Sequence, residues 1–356
     1  MNEIHSTVLQ QFPLKGSPVS CERYGCGHIN VTYLVVTDTK EQYILQQINH
    51  HIFKNVDELM ENIVAVTDHL KKKNPDPRAV LQVIRTNDGA SYFHHEADDT
   101  YWRVYWYVSN SVCLQAAESL EDFRQSAVAF GEFQEQLQDF PAATLHESIP
   151  NFHNTVDRYR IFRETLKADP MGRAKDVQKE IQFVLDREKE AGTIVNLLKS
   201  GELPLRVTHN DTKLNNVMLD ADTHKALCVI DLDTVMPGSS LYDYGDSIRF
   251  GAASAPEDEK DLNKMEMRLD LFETYTKAFM KACPGLTPLE RELLPMGAKL
   301  MTLECGVRFL TDYLDGDHYF AVHREGHNLD RARTQFKLVA DMEAKWTEMQ
   351  NIVKEG

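Results

Sequence analysis

The sequence predicts an α+β protein with two lobes, a small β-rich N-terminal lobe over residues 1–108 and a large helix-rich C-terminal lobe over residues 109–356. The chain has 356 residues, a length that suits two domains or one large bilobal domain. β-branched and aromatic segments crowd the first hundred residues, whereas apolar residues recur at helical spacing from Ser119 onwards. Hydrophobic residues make up 42% of the chain, so we expect a substantial core.

The N-terminal lobe is predicted to be a small sheet with one helix. Residues 55–73 have the spacing of an amphipathic helix, and Asn55 with Glu58 resembles a capping box at its start. A glycine turn at residues 24–28 precedes the first strand. The predicted strands are rich in β-branched and aromatic residues and cover residues 30–37, 42–48, 79–86, 91–96 and 100–108.

The C-terminal lobe is predicted to be helical on both sides of a short β region. One helix begins at Ser119, where Asp122 three residues later is typical of an N-cap, and a second covers residues 176–199. From residue 241 to the end the pattern is helical again, with a break at residues 284–288. Apolar runs between these parts predict a strand at residues 205–209 and a hairpin of strands at 217–219 and 226–230.

Composition and charge argue against several kinds of partner. The formal net charge is −16 and the isoelectric point is near 5.3, which opposes broad electrostatic binding to nucleic acid or to an anionic membrane. We expect no membrane span, because no run of about 18 apolar residues exists, and no signal peptide. The six cysteines have no zinc-like spacing, so we expect reduced thiols and a cytoplasmic protein. The sequence does not fix the oligomeric state and is compatible with a monomer.

The segment from His209 to Asn216, followed by Asp231, carries the chemistry. Asp211 lies five residues before Asn216 and twenty before Asp231, the order that protein kinases also have. A carboxylate is needed to accept the proton of an attacking hydroxyl, here Asp211. A carboxamide oxygen and a second carboxylate, here Asn216 and Asp231, are suited to hold Mg²⁺ on the phosphates of ATP. The alternative is a plain hairpin whose Asp and Asn residues cap turns.

Nucleotide contacts are expected in the N-terminal lobe. Gly25 and Gly27 lie in a turn that can bring backbone N–H groups close to phosphates, because glycine lacks a Cβ atom. The backbone near Tyr107 and Val108, where the lobes should join, is predicted to meet the adenine edge.

These segments resemble the aminoglycoside phosphotransferase family of kinase-like enzymes, whose motif H-x-D-x-x-x-x-N is followed by I-D-x-D/E. The resemblance covers almost the whole chain, and it is most specific to the branch that phosphorylates N-acetylhexosamines at C1. The runs that carry it are residues 24–30, 43–47, 206–216, 230–234, 236–238, 242–247 and 304–310.

The resemblance implies a protein-kinase-like fold and phosphorylation of the anomeric C1 hydroxyl of GlcNAc or GalNAc by ATP and Mg²⁺. It implies that Lys213, two residues after Asp211, touches the γ-phosphate. Gln46 and Gln47 stand where protein kinases keep a phosphate-binding lysine, so neutralisation of the α- and β-phosphates is left to Mg²⁺. Gln46 is the nucleotide-site residue at that position. The residues implied to contact the N-acetyl sugar are His28, Asp233, Arg308 and Tyr319.

Two other functions compete with a sugar kinase. One is a kinase for another small alcohol, such as an aminoglycoside or choline, for which the acidic composition would suit a cationic acceptor. The other is a nucleotide-binding pseudokinase, supported only by the missing small-lobe lysine. The presence of Asp211, Asn216 and Asp231 together argues against a pseudokinase.

Overall fold

The small lobe is an antiparallel sheet flanked by helices. The computed structural model describes residues 3–25, 27 and 29–356. A short helix, α1 (Glu3–Leu9), precedes the sheet, which contains β1 (Pro18–Arg23), β2 (Val31–Thr37), β3 (Gln42–Ile48), β4 (Val83–Ile84), β5 (Phe93–His95) and β6 (Thr100–Trp106). The strand order is β1-β2-β3-β6-β4, and β5 pairs with β6. The prediction did not include α1 or β1.

Alternation along β3 divides its side chains between two cores. Tyr43 and Leu45 are buried in a core that also contains residues of α1. Ile48 points the other way and packs with the helix α2 (Val56–Lys71) and with residues of the large lobe. Even-numbered positions of β3 therefore face the large lobe.

The helix α2 forms as its sequence predicts. The Asn55 side chain accepts a hydrogen bond from the Glu58 N–H and so caps the helix. Leu59, Ile63 and Val66 are among its buried residues and recur at three- and four-residue spacing. The apolar stripe of α2 thus covers one face of the sheet.

The large lobe is built mainly from ten helices among the described residues. The predicted N-cap at Ser119 is confirmed, because Ser119 and Asp122 form a capping box. The predicted break at residues 284–288 is also confirmed, since one helix ends before it and the next begins at Pro288. The helices are α3 (Leu120–Gln136), α4 (Thr155–Ala168), α5 (Gln178–Ala191), α6 (Thr193–Ser200), α7 (Ser240–Gly251), α8 (Leu269–Ala282), α9 (Pro288–Glu292), α10 (Leu294–Asp315), α11 (His327–Ala344) and α12 (Trp346–Glu355).

Helices α7 and α10 cross at very close range. A Cβ atom on Gly245 of α7 would lie 2.4 Å from the carbonyl oxygen of Gly297 on α10, so glycine is required at the crossing. The backbones of the two helices are therefore in direct contact where they cross.

Two further short sheets are formed by strands that follow residue 108. They contain β7 (Ser111–Cys113), β8 (Arg206–Thr208), β9 (Val217–Asp220), β10 (Ala226–Val229) and β11 (Met236–Gly238). The orders are β10-β9-β7 and β11-β8, and the predicted hairpin is the antiparallel pair β9-β10. The chain leaves the first sheet after Trp106 and enters the second at Ser111.

Two predicted elements differ from the structure, and one helix of the large lobe was missed. Most of the strand predicted at residues 79–86 is irregular, because Asp76 caps a 3₁₀ turn that starts at Pro77 and only the two residues of β4 pair. The helix predicted at residues 176–199 is divided into α5 and α6 at Gly192. Helix α4 was not predicted. Among the described residues, no helix is both long and apolar enough to cross a membrane.

Candidate active site

The loop between β8 and β9 brings the predicted catalytic residues together. The Asp211 carboxylate is partly exposed, with 29% of its side chain accessible. One of its oxygens lies 2.7 Å from the Lys213 ammonium, and the other accepts a hydrogen bond of 3.0 Å from the Asn216 amide. Asp211 therefore has an accessible carboxylate whose orientation is fixed by two neighbours.

Two buried carboxylates on α7 hold this loop in place. Asp243 accepts hydrogen bonds from the backbone N–H groups of His209 (2.9 Å) and Asn210 (2.8 Å). Asp246 accepts one from the Thr212 N–H at 3.2 Å. Both aspartates therefore brace the loop through its backbone N–H groups. Asn210 has φ of 66°, a left-handed conformation that asparagine tolerates well.

His209 connects the loop to the segment that carries Asp231. Its Nε2 atom hydrogen-bonds the Ile230 carbonyl at 2.9 Å, and its ring packs edge-on against Phe130 and Phe133. The Ile230 N–H in turn donates to the Asn216 carbonyl at 2.9 Å. His209 therefore orients the loop by hydrogen bonding.

Asp231 has the environment of a cation ligand. It adopts a left-handed conformation with φ of 60°, and its side chain is accessible from the cleft although protein surrounds it on most sides. Desolvation and the nearby charges of Asp233 and Asp211 raise the pKa of Asp231 to about 6. A divalent cation at this place would relieve the repulsion between carboxylates.

Asn216 and Asp231 fit a metal that also binds phosphate. The Asn216 NH₂ group donates to Asp211, so its amide oxygen is left as the ligand atom. No group of three or more His, Cys, Asp or Glu side chains with metal-site geometry exists among the described residues. A cation held here by one carboxylate and one amide would need further oxygen ligands, which nucleotide phosphates supply.

Lys213 stays charged at this site. Burial opposes its charge, but the carboxylates of Asp211 and Asp246 outweigh that effect and raise the pKa of Lys213. Its side chain is 36% exposed. It is therefore a fixed positive charge next to Asp211.

The predicted nucleotide residues lie together at the edge of the sheet. Tyr24, which precedes the glycine turn, places its hydroxyl 3.4 Å from the Tyr107 hydroxyl. Gly25 has φ of 76°, and a Cβ atom at Gly25 or Gly27 would meet no atom of the described residues within 4 Å. Of the described residues in the predicted turn, Gly25 and Gly27 therefore have room for a ligand next to their backbone.

Hydrogen bonds within the protein occupy some of the backbone groups that were predicted to meet adenine. The Tyr107 N–H donates to the Gln42 carbonyl, and the Val108 carbonyl accepts from the Ser111 hydroxyl. Among the described residues, the Tyr107 carbonyl and the Val108 N–H remain for a nucleotide.

Gln46 and Asp233 have other partners than those predicted. Gln46 faces Arg103 across the β3-β6 pair, and its amide oxygen accepts from the Arg103 Nε at 3.0 Å and Nη2 at 2.9 Å. Arg103 also binds both oxygens of Asp233, at 2.5 and 2.9 Å, and Asn30 donates to the same carboxylate. The nucleotide contact of Gln46 and the sugar contact of Asp233 find no support here, because these groups are already engaged within the protein.

Arg103 and Asn30 are the residues that the sequence interpretation missed. Arg103 is a buried cation of the small lobe, and it lies on the strand next to the one where the lysine was sought. Arg103 could have been found only by knowing that it lies opposite Gln46. That pairing joins strands whose facing residues are 57 positions apart in the sequence. Arg103 is 1% exposed and Asp233 is 3% exposed, so the pair links the lobes in a buried setting.

Two of the predicted sugar-binding residues, Arg308 and Tyr319, contact each other. Arg308 on α10 donates to the Tyr319 hydroxyl at 3.3 Å, and its guanidinium lies 5.6 Å from the Tyr319 ring centre. A chain of contacts connects the braced loop to α10. Arg249 pairs with Asp246 and with Glu257, and the Cys305 thiol of α10 donates to Glu257. His28 lies outside the described residues.

Comparison with known proteins defines the family. The model of the phosphotransferase enzyme family matches residues 20–274, and the chain belongs to that family. A microcompartment-associated aminopropanol kinase is 16% identical, with 98% of each chain covered and a TM-score of 0.67. Choline kinase from Cryptosporidium parvum Iowa II is 12% identical, with 98% of this chain and 97% of that chain covered and a TM-score of 0.60. Amicoumacin kinase hAmiN, solved with AMP-PNP, Ca²⁺ and Ami, is 11% identical, with 97% and 94% covered and a TM-score of 0.59. These likenesses confirm the two-lobed kinase-like fold.

The raised pKa of Asp231 predicts that the wild type and an Asp231→Asn variant differ in stability in a pH-dependent way. Its pKa of about 6 exceeds the value of about 3.9 for an unfolded aspartate, so its ionisation costs stability as pH rises through that interval. Without metal, Asp231→Asn should therefore match the wild type in urea resistance near pH 4 and exceed it above pH 7. Asparagine also tolerates the left-handed backbone.

Urea unfolding in EDTA between pH 4 and pH 8 measures this difference. Asp222→Asn, an exposed change in the β9-β10 turn, is the control and should track the wild type throughout. An Asp231→Asn protein that is less stable than the wild type at pH 7.5 would show that the charge of Asp231 is not destabilised by burial and by the neighbouring carboxylates.

Proposed function

We propose that this protein is a small-molecule kinase that transfers the γ-phosphoryl group of ATP to the C1 hydroxyl of an N-acetylhexosamine, GlcNAc or GalNAc. One observation carries the proposal: Asp211, Lys213 and Asn216 touch one another in an accessible loop whose backbone is tied to the segment of Asp231. Phosphoryl transfer depends mainly on such positioning of charge.

Asp211 is proposed as the general base. Its accessible carboxylate takes the proton of the C1 hydroxyl while that oxygen bonds to the γ-phosphorus, and the bond to the bridging β-γ oxygen breaks to release ADP. Lys213 stays protonated and places a positive charge beside the transferred group. An anomeric hydroxyl is more acidic than an ordinary alcohol, so a carboxylate is a sufficient base.

Asn216 and Asp231 are proposed to hold Mg²⁺, and Gly25, Gly27, Tyr107 and Val108 to border ATP. Bound Mg²⁺ would supply charge neutralisation at the phosphates. The complex of amicoumacin kinase with AMP-PNP and Ca²⁺ supports a nucleotide and a divalent ion in this fold.

The acceptor is proposed to lie between the Asp211 loop and the side of α10 that carries Arg308, with Tyr319 and His28 as further contacts. Arg308 forms no ion pair with a carboxylate among the described residues and packs on aromatic rings. A guanidinium repels a cationic acceptor and can donate to a carbonyl or hydroxyl oxygen. This local charge favours a neutral N-acetyl sugar over choline.

A kinase for an amino alcohol is the second candidate. The similarity to an aminopropanol kinase and a choline kinase favours it, as does the net charge of −16. A pseudokinase is disfavoured because the base and both metal-binding groups lie in one site. Single-turnover transfer of phosphate in the presence of Mg²⁺ would eliminate a pseudokinase.

A panel of acceptors tests the proposal. ADP release is measured with N-acetylglucosamine, N-acetylgalactosamine, glucose, choline, aminopropanol and kanamycin, and the product is examined by ³¹P NMR. We expect turnover of the N-acetylhexosamines and a phosphate ester at C1. Turnover of choline, aminopropanol or kanamycin with no sugar product would reject the sugar assignment.

The lobe boundary after residue 108 and a cytoplasmic location belong to the same proposal. The boundary is supported by the strands, since those of the first sheet end at Trp106 and the next strand, β7, pairs with β9.

A further inference from the structure

A second arginine, Arg158, lies close enough to Arg308 for the two charges to interact. Arg158 is on α4, one turn after the helix begins, and its Nη2 donates to the Phe152 carbonyl at 2.8 Å. The Arg308 guanidinium lies 5.6 Å from the centre of the Phe152 ring. Both arginines therefore converge on one residue of the segment that precedes α4.

One donor of Arg158 is satisfied by no group among the described residues. Its Nε atom is buried and has no hydrogen-bond partner among the described residues, and its guanidinium forms no ion pair there. Burial and the charge of Arg308 lower the pKa of Arg158, so the two guanidinium groups repel each other. A buried donor without a partner and a like-charge neighbour both cost stability.

Glu304, the carboxylate whose charge acts most strongly on Arg158, is committed to other partners. It is 1% exposed, and its oxygens accept hydrogen bonds from His153 Nδ1 at 2.9 Å and from the Thr155 hydroxyl at 2.7 Å. Glu304 lies one turn before Arg308 on α10, so its charge acts on both arginines without a direct pair. It moderates the positive charge and leaves the Arg158 Nε donor without a partner among the described residues.

We infer that Arg158 and Arg308 together form an acceptor subsite for a carbonyl or carboxylate oxygen. Arg158 would determine specificity, because planar guanidinium donors recognise such oxygens with defined geometry. The inference rests on the proposed function and deepens it: the oxygen bound would be that of the N-acetyl group. Acceptors without an acyl or carboxyl oxygen would not use Arg158.

The test compares two acceptors in two arginine variants. Arg158→Met should lower kcat/KM for N-acetylglucosamine about 10- to 100-fold, the loss of one hydrogen bond from a charged group, chiefly through KM. The same variant should change kcat/KM for glucose, which lacks the acyl group, by less than about 3-fold, because the lost donor has no oxygen to bind there. KM for ATP should not change.

Arg160→Met is the matched control. Arg160 lies two residues further along α4, is exposed and pairs with Asp157 and Glu164 on the same helix. It should leave both acceptors unaffected. If Arg158→Met fails to fold, as thermal unfolding would reveal, Arg158→Lys keeps the charge without the planar donors and should give a smaller loss confined to N-acetylglucosamine.

The outcomes separate the inference from the proposed function. An equal loss with both sugars, or no loss, overturns the Arg158 subsite while sugar phosphorylation stands. If the wild type phosphorylates only choline or aminopropanol, the proposed function fails and the inference fails with it, because those acceptors carry no carbonyl oxygen. If it phosphorylates another acceptor that has such an oxygen, a selective loss in Arg158→Met still supports the subsite.

Discussion

Replacing Asp211 with asparagine is expected to lower kcat by about 10² to 10⁴-fold, the usual contribution of a general base. Asparagine has the same shape and keeps an oxygen that can accept from the Asn216 amide, but it cannot take a proton. The loop should keep its conformation, since Asp243 and Asp246 hold its backbone. ATP affinity should change little, because Asp211 faces the acceptor in the proposed arrangement.

Steady-state kinetics and isothermal titration with Mg·ATP measure the two effects separately. Asp222→Asn, on the exposed hairpin turn, is the control and should retain full turnover. An Asp211→Asn enzyme with nearly normal kcat would remove Asp211 as the base. A folded variant that no longer binds ATP would instead assign Asp211 to the metal and nucleotide.

The order of residues along the chain predicted this part of the site because its contacts are local. Asp211, Lys213 and Asn216 lie within six consecutive residues, and a loop that carries them brings them together in most conformations that fit between two strands. The bracing by Asp243 was also accessible to sequence interpretation, since an aspartate in an otherwise buried helix needs N–H partners.

Contacts between distant segments could not be predicted in the same way. Arg103 meets Gln46 only because β3 and β6 pair in one register, and it meets Asp233 only because the lobes pack together. Arg158 was missed with its helix, because α4 carries few buried residues. Gly192 was read as part of one helix, although the chain uses it to start another.

Removing the Arg103 side chain is the second change with a large expected effect. Arg103→Met would leave the Asp233 carboxylate buried without its partner, which typically costs about 3–5 kcal/mol of folding stability. Burial disfavours the charge of Arg103, and the Asp233 carboxylate outweighs that cost and raises the pKa of Arg103. The wild-type pair is therefore a matched unit in which neither partner is tolerated alone.

A double-mutant cycle measured by urea unfolding tests this coupling. Asp233→Leu alone should also be strongly destabilising, because Arg103 would lose its counterion, whereas Arg103→Met with Asp233→Leu should recover much of the loss. Arg124→Met is the control, since Arg124 forms an exposed ion pair with Glu121 and should cost at most about 1 kcal/mol. Additive losses in the double variant would contradict a coupled pair.

The same variants show whether the pair also positions the metal site. Asp233 lies two residues after Asp231 in one 3₁₀ turn, and Arg103 ties that turn to the sheet of the small lobe. If this link sets the position of Asp231, the folded double variant should bind Mg·ATP about 10- to 100-fold more weakly than the wild type, as when an outer partner of a metal ligand is lost. Unchanged Mg·ATP affinity in a folded double variant would confine Arg103 and Asp233 to holding the lobes together.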